Sequence, residues 1–316
     1  MDNKLEKKRF SEALSDYSII VALFALVILI SIISPEFRTM SNFMNLLRQS
    51  SINGFLAFGM TCVILTGGID LSVGSVLALT GAFCAGFLAA GIPVPVALLL
   101  AIVIGTVFGV INGLLITAGK LQPFIATLIT QIVFRGFTMI YTGGRPISNL
   151  GDSKFFYAIG NGTILGVPVP AIMFVVAFAF MWFALEKTTY GRKLYATGSN
   201  ESAAKLAGVN IDKTKIIAYA ICAILSTIAG IILLSKLDSA QPLAGSGYEL
   251  DAIAAVALGG TSMSGGKGRI WGTFVAVLII AVLNNGLNIL GVSSYWQEVV
   301  KGVVILVAVI IDRKKQ

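Results

Sequence analysis

The chain has 316 residues, 56% of them hydrophobic and 12% charged. Soluble domains carry about 25% charge, so this composition excludes an ordinary water-soluble globule and requires a polytopic membrane protein. The net charge of +8 comes from cations lying between apolar runs, a pattern of membrane topology and not of nucleic-acid binding.

The N-terminus carries Lys4, Lys7, Lys8 and Arg9, followed by an apolar run from Ile19 to Ile33. No small-residue cleavage site follows, so the run reads as an uncleaved first span. Candidate spans then fall at roughly 17–34, 52–68, 72–91, 94–118, 123–141, 168–186, 214–236, 250–260, 270–290 and 296–311. The expected fold is an all-α polytopic membrane protein, one transmembrane domain over 1–316. It has about ten helices, some broken or half-length, the eighth being too short to cross alone. Most Lys and Arg fall in 1–16, 119–122, 187–213, 261–269 and 312–316, which puts those segments and both termini in the cytoplasm.

Ser41–Ser50 mixes polar and apolar residues and reads as a short interfacial helix before the second span. Thr66 to Ser75 interrupts two apolar runs. Gly67 and Gly68 break the helix, and Asp70 and Ser72 are suited to cap the next one. An acid at membrane depth is costly, so Asp70 is also a candidate for the pathway or gate. Asn53, Asn112, Asn285 and Asn288 lie in or beside apolar runs. They serve either as hydrogen-bonding links between helices or as the lining of a wet path for a neutral polyhydroxy solute. Arg135 reads either as a buried charge that needs carboxylate or carbonyl partners, Asp70 among them, or as a side chain near the outer end of its span that snorkels to the interface.

Thr142 to Val167 reads as an external loop. Glu186 to Lys215 is polar and basic, with a short helix signal from Ser199 to Gly208. Ser199 or Asn200 caps it, Glu201 suits its positive end, and Gly208 suits a left-handed stop. Two turns are too few to stand alone in water, so this helix needs a partner surface. Gln241 to Asp251 is placed outside, where Glu249 and Asp251 either start the next helix or contact an external protein. Gly259 to Arg269 imitates a phosphate loop but lacks the spacing and the Ser or Thr after Gly-Lys, so it reads as a flexible turn. With no histidine, and with Cys62, Cys84 and Cys222 inside apolar runs, no metal site or disulfide is expected.

Five long stretches carry a family likeness: MTCVILTGGIDLSVGSVLALTGA, FIATLITQIVFRGFTMIYTGG, NESAAKLAGVN, SAQPLAGSGYELDAIAAVALGGTSMSGGKGRIWGT and LNNGLNILGVSSYWQEVVKGVVILVAVIIDRKKQ. From about residue 35 to its end the sequence resembles permease subunits of bacterial ABC importers for monosaccharides. The resemblance implies an inner-membrane homodimer that transports a sugar, ribose first among related sugars, without bond chemistry or a cofactor of its own. It implies cytoplasmic ATPase subunits, which hold ATP and Mg and dock on a coupling helix, here matched by Asn200, Glu201, Ala203, Ala204 and Gly208. It also implies a periplasmic sugar-binding protein. The alternative is a stand-alone secondary transporter or channel, for which Asp70 is the candidate coupling acid.

Overall fold

The computed structural model describes residues 19–315, without the side chains of 305 and 307–315. The basic segment 1–16 therefore lies outside the described residues. Each apolar run becomes a helix. In chain order these are α1 (Ile19–Ile33), α2 (Met40–Leu65), α3 (Val73–Ala89), α4 (Val94–Thr117), α5 (Pro123–Thr142), α6 (Lys154–Asn161), α7 (Val169–Lys187), α8 (Thr189–Ser199), α9 (Glu201–Leu206), α10 (Ile211–Leu237), α11 (Tyr248–Leu258), α12 (Ile270–Ile289) and α13 (Ser294–Lys315). Among the described residues, α4, α5, α7, α10 and α12 are long and apolar enough to cross a membrane.

Local signals set several boundaries. Helices α4, α5 and α7 each place a proline in the first turn, where a missing N–H costs no hydrogen bond. Gly143 ends α5 with φ +61, the left-handed stop that glycine adopts without strain. Two expectations change. Ser41–Ser50 is no separate interfacial helix: Thr39 accepts from Asn42 N–H, and the helix then runs unbroken from Met40 to Leu65. The 142–167 segment holds α6 and a small antiparallel hairpin, β1 (Thr163–Ile164) and β2 (Val167–Pro168).

Helix α10 is the hub and packs on α4, α2 and α3. Its tightest neighbour is α4, through glycines four residues apart. A methyl on Gly109 would lie 2.7 Å from Ala220 Cα, and one on Gly113 would lie 2.7 Å from Ile216 Cα. Lipid gives no hydrophobic drive for helix association, so close backbone approach through small residues supplies the dispersion contact instead. A core of α2, α10, α11 and α12 side chains, including Leu56, Phe58, Tyr219, Val256 and Val277, fills the centre.

Candidate functional site

Two interrupted helices meet inside the bundle. The first break, after Leu65, is the turn that carries Asp70. Asp70 is 1% exposed, enclosed by protein on all sides. Its Oδ1 accepts from Ser72 N–H at 2.9 Å and Ser72 Oγ at 2.6 Å. Asn112 Nδ2, from α4, donates to Ser72 Oγ at 2.8 Å. Asn112 and the Cys222 thiol complete the neutral surround of the carboxylate. Arg135 is not its partner. Ser72 occupies the N-cap position of α3 but makes no side-chain cap bond, because its hydroxyl is committed to Asp70.

The second break precedes the half-length helix α11. After α10 ends at Leu237, the chain re-enters the bundle. Gly245 packs so closely on Gly74 that a methyl on Gly245 would lie 2.7 Å from Gly74 O. Gly81, two turns along α3 from Gly74, sits against Gly230 of α10. Seven residues along each helix at 1.5 Å per residue put Gly245 roughly 20 Å inside the end of α10, near the midpoint of that 27-residue span. Irregular backbone survives at such depth only when protein groups satisfy it. Here Arg135 Nη1 donates to Pro242 O at 2.8 Å and Ala244 O at 2.9 Å.

This geometry packs 241–251, expected as an external segment, against α3 and α5 within the bundle. Glu249 and Asp251 are both buried, and neither is presented to an outside protein. Glu249 faces Arg135 and accepts from Gln131 Nε2 at 3.1 Å. Asp251 pairs with Lys301 of α13 at 3.0 Å and receives Asn284 Nδ2 at 3.5 Å. The amides divide. Asn285 exchanges two hydrogen bonds with Asn42, at 2.7 and 3.0 Å, and Asn288 accepts from Gln297 at 2.9 Å. Asn53 is 4% exposed, and its amide nitrogen and oxygen have no partner among the described residues.

The third element is α9. Asn200, not Ser199, caps it: Asn200 Oδ1 accepts from Ala203 N–H at 3.0 Å. Gly208 turns at φ +81 after it. Glu201 is ion-paired with Lys215 at the start of α10. Ala204 is buried, Ala203 is exposed, and Leu206 is 90% exposed. The loop 259–269 is not a loose turn. Gly266 N–H donates to Leu65 O at 3.0 Å, Ser199 Oγ donates to Gly266 O at 3.3 Å, and Tyr195 OH of α8 donates to Gly268 O at 3.0 Å. The loop that follows α11 is thus fastened both to the break after α2 and to the last residue of α8, next to the cap of α9. A cavity of about 420 Å³ opens at this junction, lined by Thr66, Gly68, Thr197, Asn200, Lys215 and Tyr219 among others.

The family model described as branched-chain amino acid transport system / permease component matches residues 42–309. The chain belongs to this permease family. It is 56% identical to the ribose import permease protein RbsC of Bacillus subtilis (strain 168), over 98% of this chain and 97% of that one. It is 49% identical to the protein of the same name from Escherichia coli (strain K12), over 98% of each chain. It is 38% identical to the D-allose transport system permease protein AlsC of Escherichia coli (strain K12), over 98% of this chain and 95% of that one. No solved structure matches it.

In this permease the candidate residues fall into separate groups. Asp70, Ser72 and Asn112 are joined in one polar knot; Arg135 and Glu249 hold the re-entrant segment beside it. Asn285 and Asn288, three residues apart on α12, go to different partners. Sequence reading missed Gln131, Lys301 and Leu206. A signal existed for Leu206, since it is the single large apolar residue on a short polar helix.

Proposed function

We propose that the chain is the membrane-spanning permease of an ATP-driven ABC importer that carries ribose into the cell. The observation that carries this reading is the 56% identity to a ribose import permease over nearly the whole of both chains. The reading includes about ten spans, with α11 as a half helix completed by the irregular chain on either side of it. Both termini and the loop 187–213 lie in the cytoplasm, in accord with the positive charge of those segments. The partners are a second copy of this chain, a cytoplasmic ATPase holding ATP and Mg, and a periplasmic sugar-binding protein. This chain supplies no bond chemistry.

The mechanism is alternating access. The ATPase docks on α9, through Ala203 and Leu206 on its exposed face, with Asn200 and Gly208 fixing its two ends. A shift of α9 pulls Ser199 against Gly266, and Gly266 is bonded to Leu65 at the first break. The same loop continues from α11. One displacement therefore reaches both interrupted helices, and with them the polar groups at mid-depth: Asp70, Ser72, Asn112, Arg135 and Glu249.

The test is uptake of labelled ribose by proteoliposomes holding the permease with its ATPase and binding protein. Uptake that needs ATP and both partners supports the importer. Uptake by the permease alone, driven by an ion gradient, replaces it with a secondary transporter in which Asp70 is the coupling acid.

A further inference from the structure

At the end of the bundle opposite α9, two cations lie near each other with no acid paired to either among the described residues. Arg48 lies in α2 and Lys236 in the last turn of α10. Both side chains are partly buried, and their charges oppose each other. The bonds they make are long and go to neutral groups. Arg48 Nη2 reaches Asn161 O at 3.4 Å and Nη1 reaches Asn45 Oδ1 at 3.5 Å, while Lys236 Nζ reaches Gln49 Oε1 at 3.5 Å. Arg48 Nε is buried with no hydrogen-bond partner. No carboxylate among the described residues pairs with either cation.

Desolvating one cation is costly, and placing a second beside it adds repulsion. The arrangement is favourable once an oxyanion lies between them, because a guanidinium and an ammonium both bond best to charged acceptors. The surroundings decide where the anion comes from. Asn161 Nδ2 donates to Ser235 O at 2.8 Å, which fixes α6 against α10, and Gln49 reaches Tyr248 of α11. The cations therefore sit where α2, α6, α10 and α11 converge. Both side chains are thus partly enclosed by these four helices.

We infer that Arg48 and Lys236 form an oxyanion site that receives an acidic side chain of the soluble protein delivering the sugar. This rests on the importer reading, which puts this end of the bundle outside the cell. Gln49, which Lys236 reaches, also bonds the Tyr248 side chain of α11, so an acid seated there is linked through Gln49 to the element that re-enters the bundle.

The experiment uses the complete transporter in nanodiscs, with the binding protein titrated against ribose-loaded complexes at low and high salt. Lys236→Gln and, separately, Arg48→Gln are each expected to raise the half-saturating concentration of binding protein about 10-fold and to flatten its salt dependence. Lys236→Arg is expected to restore both, and ATP hydrolysis without binding protein should stay at the wild-type rate. If Arg48→Gln does not fold, Lys236→Gln and its Arg rescue decide alone. Unchanged affinity and salt dependence in Lys236→Gln overturn the inference. So does an effect that appears only in nanodiscs containing anionic lipid, which assigns the cations to a headgroup phosphate. Failure of the wild type to respond to any binding protein is a different result, and counts against the importer reading itself.

Discussion

Arg135 Nη1 donates to Ala244 O across 2.9 Å, tying the middle of α5 to a stretch of irregular turns at mid-membrane depth. The same nitrogen holds Pro242 O. Without Arg135, two part-buried carbonyls lose their donor, at up to about 1–3 kcal/mol for each unsatisfied group. Arg135→Ala is therefore expected to lower the melting temperature of the detergent-solubilised permease and to expose 241–247 to proteolysis. Arg135→Lys should retain part of the effect, since an ammonium can replace one of the two bonds. A wild-type melting curve for Arg135→Ala would remove the anchoring role.

Asp70 separates charge from hydrogen bonding. Its Oδ1 takes both bonds from Ser72, and an asparagine keeps that oxygen. Its neighbours Ser72, Asn112 and Cys222 are neutral. Asp70→Asn is expected to fold and to transport. Asp70→Ala strands the buried N–H and hydroxyl of Ser72 and should destabilise by about 1–3 kcal/mol. Loss of transport by a folded Asp70→Asn would give the charge itself a role and would favour ion coupling.

The apolar runs were legible because each is long and uniform, so α1, α4 and α12 stand within a few residues of where hydropathy put them. The cap at Asn200 and the stop at Gly208 follow from local chemistry that sequence displays. The re-entry of 241–247 was not legible, because Gln241-Pro242-Leu243-Ala244-Gly245 has the composition of any surface turn. Its depth is set by Arg135, more than a hundred residues away, and by contact with Gly74. Glu249 and Asp251 looked like acids at a helix start. They are buried because Gln131 and Lys301 reach them from other helices, and no local pattern encodes that. Gly105, Gly109 and Gly113 formed a readable signal: their four-residue spacing marks the face of α4 that α10 covers.

Gly265 tests whether the junction transmits movement. Its φ is +86, and a methyl there would lie 2.7 Å from Gly67 N and 3.2 Å from Gly198 Cα. Gly265→Ala combines a left-handed backbone with a steric push between the break after α2 and the end of α8. ATPase binding should persist, because α9 itself is untouched. Ribose uptake per ATP hydrolysed should fall. Wild-type stoichiometry in this variant would mean that α9 reaches the membrane helices by another route.

Leu206 tests the docking face. A leucine 90% exposed on a six-residue helix buries almost none of its side chain against the described residues. Such a side chain is favourable only when a partner covers it, and anchors of this kind cost about 2 kcal/mol or more when removed from an interface. That corresponds to about a 30-fold loss of affinity. Leu206→Asp adds a charge to the same patch without disturbing Ala204, which is buried beneath the helix, or the Asn200 cap. The variant is therefore expected to reach the membrane and melt like the wild type, yet fail to retain the ATPase through purification. Ala203→Asp on the neighbouring exposed position should behave the same way, whereas Glu201→Gln, which removes only an exposed ion pair with Lys215, should retain the ATPase. Normal ATPase retention by Leu206→Asp would move the docking surface off α9.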